Sequence, residues 1–182
     1  SVHLPSLYNN SWLCTVDTPF VCMREVGVSL AQYVDGRNFE QRHALARVLH
    51  NDLNQALCAA LSVGYCHADM KPDNVICIPS TGVFQLIDWG LAVKPGNVTH
   101  SYAGGMAFFA DALVLAYCSG RYPIVYKPQY DTHAVRNICA AVVAGRMELV
   151  EPWREATWRT GGEKYVNTRA EVVLDILGHR FS

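Results

Sequence analysis

The chain has 182 residues, 51% of them hydrophobic and 17% charged, with 15 Lys and Arg against 16 Asp and Glu for a net charge of −1. That is apolar content enough for one domain with its own core, with no cationic excess to hold nucleic acid or an anionic membrane and no apolar run long enough to cross one. Seven Cys at irregular spacing, with no C-x-x-C pair, read as reduced and mostly buried thiols of an intracellular protein, cytoplasmic or nuclear.

Residues 1 to 28 read as strands. Trp12 to Val16 and Phe20 to Glu25 flank a turn at Asp17-Thr18-Pro19. A short helix is predicted from Ser29, as N-cap, to Asp35. Glu40 to Val63 carries the strongest helical periodicity. Leu45, Val48, Leu49, Leu53, Ala56, Leu57, Ala60 and Leu61 are expected on one face, and Gly64 ends the helix. His43 and His50 on this helix have no second ligand at metal spacing and read as solvated or capping residues.

Tyr65 to Leu91 is the densest polar stretch, YCHADMKPDNVICIPSTGVFQLIDWGL. Asn74 opens a strand, Val75 to Ile78. Pro79-Ser80-Thr81-Gly82 reverses the chain, and Val83 to Ile87 returns antiparallel. The hairpin brings Asp88 back beside Asn74, so polar groups converge from about twenty residues of local sequence. Leu91 to Ala103, with Pro95, Gly96 and Asn97, shows no periodicity and reads as a flexible segment. Thr132 to Val143 and Arg169 to Leu177 read as helices, and Trp153 and Trp158 as packing residues between them.

The run His67-Ala68-Asp69-Met70-Lys71-Pro72-Asp73-Asn74 followed by Asp88-Trp89-Gly90 resembles the catalytic and metal-binding loops of eukaryotic-type protein kinases, H-R-D-x-x-x-x-N and D-F-G. Aminoglycoside kinases share the Asp and Asn here; Lys71-Pro72 favours the protein-kinase side and, within it, the serine/threonine type. The resemblance implies a mainly α fold with small β hairpins (α+β). Residues 1–28 would be the last strands and hinge of a kinase N-lobe, and 29–182 a kinase-like C-lobe. It implies ATP with Mg2+, and a protein substrate. Asp69 would accept the proton of the attacking hydroxyl, Lys71 would reach the transferred phosphate, and Asn74 and Asp88 would hold magnesium. Met23 would stand beside the adenine pocket, the Glu25 and Val26 backbone would face the adenine edge, and Ile76 would form one wall.

Further matches follow in order. Gly104 to Asp111 resembles G-T-x-x-[YF]-M-A-P-E, with Ala110-Asp111 in place of Pro-Glu; Asp131 resembles the Asp that anchors the catalytic-loop backbone; Arg169 is then the expected partner of Asp111. The 111-to-131 gap is longer than the family's dozen or so residues and reads as a surface insertion. Ala68 replaces the Arg that pairs with an activation-segment phosphate. No G-x-G-x-x-G and no V-A-I-K-type strand Lys occurs in the 182 residues. This stretch alone is therefore expected to be inactive and to associate with an upstream N-lobe or a partner protein. The rival reading is a pseudokinase or truncated lobe that serves as a non-catalytic binding module.

Overall fold

The fold follows from four helix-capping and turn signals and one central apolar helix. The computed structural model describes residues 27–99, 107–121, 123–146 and 158–177. Met23, Glu25, Val26 and the expected strands before them lie outside these residues, as does Trp153.

Strand β1 (Val28–Ser29) runs straight into helix α1 (Leu30–Val34). Ser29 caps that helix: its side chain accepts from the Gln32 backbone N–H, and the Gln32 side chain accepts from the Ser29 N–H, both at 3.2 Å. The same device starts α2 (Phe39–Ser62), where Asn38 and Gln41 exchange bonds of 2.9 and 3.0 Å. This box, unread in the sequence, sets the start one residue before Glu40. Gly64, at φ +88°, stands past the end of the helix.

The buried stripe of α2 is narrower than the expected face. Ala46, Leu49, Leu53, Ala56, Leu57 and Ala60 are inside, whereas Val48 and Leu61 are 47% and 42% exposed. At roughly 100° per residue, both sit about a quarter turn or more from a stripe centred on Leu49, Leu53 and Ala60.

A 3₁₀ turn at Pro72–Asn74 leads into β2 (Val75–Ile78), and β3 (Val83–Leu86) returns antiparallel with Val75 opposite Leu86 and Ile78 opposite Val83. β1 completes a three-stranded sheet by pairing Ser29 with Ile76. Gly27 lies against β2, where a Cβ would collide with the Cys77 carbonyl. Asp52 of α2 accepts the Phe84 N–H at 3.1 Å and pins the hairpin to the helix.

The stretch after Gly90 is more ordered than its composition suggests. Val93 bridges Cys66, and β4 (Val98–Thr99) pairs with β5 (Ile124–Val125). Both partners are remote in sequence, so local periodicity carries no sign of them. Between them, α3 (Asp111–Cys118) is a further element that the sequence reading did not foresee. Helix α4 (Pro128–Ala144) is the buried axis: Ile138 through Val143 are all fully inside. Such an all-round apolar run belongs in a core, against α2 on one side and α5 on the other. Gly145 at φ +70° ends it, and Arg42 of α2 donates to the Val143 carbonyl there at 3.1 Å. Helix α5 (Trp158–Leu177) starts eleven residues before the expected Arg169.

Among the described residues, Cys58, Cys66, Cys77, Cys118 and Cys139 are free thiols; Cys66, Cys77 and Cys139 are buried, Cys118 is half-buried and Cys58 is exposed. No helix among them is long and apolar enough to cross a membrane.

Candidate active site

The loop between α2 and β2 is held from below. Asp131, near the start of α4 and 2% exposed, accepts from the His67 N–H at 2.7 Å and the Ala68 N–H at 3.1 Å. Burial pushes its carboxyl up from the usual range, and the three donors around it, Tyr126 and the two amides, pull the other way. Asp131 therefore fixes the loop backbone as the resemblance implied.

Two non-glycine residues sit in the left-handed region, Ala68 at φ 66° and Asp88 at φ 58°. Each costs on the order of 1–2 kcal/mol and is retained only where surrounding bonds impose it. At Ala68 those bonds are Asp131 and the adjoining Cys66–Val93 bridge. At Asp88 the neighbouring Ile87 donates to the Asn74 carbonyl at 2.9 Å.

His67 links the two strained points. It is fully buried; its Nε2 lies 3.0 Å from the Ile87 carbonyl, and its Nδ1 accepts from the Asp69 N–H at 3.3 Å. One donor and one acceptor describe a neutral ring with the proton on Nε2. Burial lowers its pKa, which agrees. The Trp89 ring lies 4.6 Å from it, and the indole N–H donates to the Leu86 carbonyl at 3.4 Å.

Asp69 is 3% exposed. Its Oδ2 accepts from Lys71 Nζ at 2.7 Å and Asn74 Nδ2 at 2.9 Å, and Asn74 also donates to the Asp69 carbonyl at 2.8 Å. Its Oδ1 is buried with no partner among the described residues. An unmet buried acceptor costs about 1–3 kcal/mol. One oxygen is thus held by two donors and the other is buried without one.

Asn74 spends its N–H groups on Asp69, which leaves its amide oxygen outward as a donor to a cation. Asp88 is exposed, and its Oδ1 accepts only a long 3.3 Å bond from the Gly90 N–H. A carboxylate and an amide oxygen suit magnesium, which takes few protein oxygens and fills its shell with water and phosphate. Among the described residues no three His, Cys, Asp or Glu side chains form a metal cage. Ile76, 8% exposed, lies on β2 beside β1.

The structure also joins residues far apart in sequence. Arg169, buried on α5, pairs with Asp111 and donates to the Ala107 carbonyl at 2.9 Å. His133 stands 3.5 Å from the other Asp111 oxygen. Two contributors were missed in the sequence. Asn137 donates to the Phe108 carbonyl at 3.2 Å, and Tyr126 donates to Asp131 at 2.7 Å. Neither has a local signal; each is defined by a partner on another element.

No family model matches the chain. Sperm motility kinase 3A of Mus musculus is 34% identical over 92 residues, which is 50% of this chain and 18% of that protein. Serine/threonine-protein kinase Kist of Homo sapiens is 36% identical over 67 residues, 37% of this chain and 16% of that protein. The aligned stretches thus span less than a fifth of the relatives' own length. The held Asp69, the Asp131 anchor and the Arg169–Asp111 pair thus stand in a chain that, over about half its length, is similar to eukaryotic serine/threonine protein kinases.

Proposed function

We propose that the chain carries the large lobe of a serine/threonine-type protein kinase, which transfers the γ-phosphate of ATP to a hydroxyl of a protein substrate. The observation that carries this reading is Asp69, buried, with Oδ2 held by Lys71 and Asn74 and Oδ1 buried without a partner. That unpartnered oxygen would take the substrate hydroxyl proton once a substrate reaches it. Lys71, part-exposed beside it, would offer its remaining N–H groups to the phosphate. Asn74 and Asp88 would hold magnesium, which when bound offsets the phosphate charge. Ile76 would contact the adenine, with Met23, Glu25 and Val26 completing its pocket. In this reading residues 1–28 belong to the N-lobe and hinge, 29–182 form the C-lobe, and the free thiols suit a reducing intracellular compartment.

A second reading is a binding module without turnover. Calorimetry with ATP, with and without magnesium, decides between them. Magnesium-dependent binding that is lost in Asp88→Asn supports the kinase reading. Binding of a partner protein with no response to ATP supports the module.

A further inference from the structure

Over residues 93–99 the segment after Gly90 is tied down by backbone hydrogen bonds. Val93 and Cys66 exchange bonds of 2.8 and 3.0 Å. Further on, Gly96 donates to the Tyr126 carbonyl and Tyr126 donates to the Asn97 carbonyl, both at 2.9 Å. Two residues therefore face one, with Gly96 at φ +84°, the arrangement of a glycine-led β-bulge. Beyond the bulge Val98 pairs with Val125 and Thr99 with Ile124. The strand that supplies these bonds comes from the connection between α3 and α4, whose length exceeds that of the resembling family.

Tyr126 belongs to two systems at once. Its backbone closes the bulge. Its side chain, 5% exposed, donates to Asp131 Oδ1 at 2.7 Å. Asp131 in turn holds the His67 and Ala68 amides, immediately before Asp69. Burial first, then the neighbouring Asp131 charge, keeps the phenol protonated, so it remains a donor at any working pH. The Tyr130 ring packs edge-on against it at 5.4 Å and fixes its plane.

We infer that Tyr126 is a positioning residue: through the β4–β5 ribbon and its hydroxyl bond to Asp131, it orders the segment 93–99 and the loop carrying Asp69 as one unit, without a phosphate. Ala68 offers no charge to read a phosphate, and the ribbon takes over that ordering. The functional meaning rests on the kinase reading of Asp69, whereas the coupling itself does not.

The test is amide hydrogen exchange on the full chain. Tyr126→Phe keeps the ring and removes only the hydroxyl. Exchange at residues 66–69 should rise about tenfold, as expected for one lost bond to a buried carboxylate, with the amides of α2 unchanged. Gly96→Ala meets no atom within 4 Å, so it strains the bulge without a clash; it should raise exchange at 93–98 and, through Tyr126, at 66–69. Phosphatase treatment should change neither segment. Unchanged exchange at 66–69 in both variants overturns the inference, as does protection lost on phosphatase treatment. In a form that turns over, Tyr126→Phe should lower kcat about tenfold with KM for ATP unchanged. A wild-type chain that shows the coupling yet never binds ATP defeats the kinase reading and leaves the inference standing.

Discussion

Asp69 keeps one carboxylate oxygen buried and unmet while Lys71 and Asn74 crowd the other. Asp88 is held at φ 58° and exposed. Both positions spend stability on geometry. Asp88→Asn removes a charge from an exposed position and should leave thermal stability within about 0.5 kcal/mol. Magnesium-dependent ATP binding should be lost with it. Calorimetry measures the second and denaturation the first; retained magnesium dependence would remove Asp88 from the metal site. Asp111→Asn should act differently. Arg169 is 1% exposed and would be left as a buried cation with a weakened partner. A loss of about 3 kcal/mol in urea denaturation is expected, and a loss under about 1 kcal/mol would show that the neutral amide and the Ala107 carbonyl suffice.

At the scale of elements, three joints govern the site: β1 on β2, the loop on α4, and β4 on β5. Gly27 makes the first possible, since any side chain there strikes the Cys77 carbonyl. Gly27→Ala should push β1 off β2 and speed exchange of the Cys77 amide, while the Ile76 amide and β3 stay protected by the β2–β3 pairing. Equal protection in variant and parent would mean that the joint adapts. The third joint bears on regulation. Thr99 lies in β4, which backbone pairing with β5 orders without a phosphate; Ser101 is two residues further along the sequence. Thr99→Ala with Ser101→Ala should therefore alter activity less than about twofold in a form that turns over, comparable to ordinary surface substitutions. A large loss at unchanged stability would reveal another basic residue that reads a phosphate there.

Over the whole molecule, α4 is the axis on which the site and the core both depend, and His67 is where they meet in pH. Its folded pKa lies below the free value of 6.5 because burial disfavours the cation. The contribution is thus present above about pH 6.5 and is lost as pH falls toward the depressed folded value. Stability should decline by up to about 1.4 kcal/mol per pH unit in that window, checked by urea denaturation between pH 7 and pH 5; a flat profile would mean that folding leaves the ring's pKa unchanged. The sequence by itself determined what short-range chemistry determines. Ser29 caps α1 because a hydroxyl three residues from an amide needs no outside partner. The β2–β3 hairpin follows from two apolar runs around Gly82 at φ +70°. The order of Asp69, Lys71, Asn74 and Asp88 was legible for the same reason. The tertiary structure alone decided which side of α2 is buried, leaving Val48 outside, because that depends on where α4 and β3 lie. It alone paired Val98 with Val125 and bonded Tyr126 to Asp131. Pairing between remote strands and hydroxyls leaves no period in the sequence; it exists only once the chain has closed on itself.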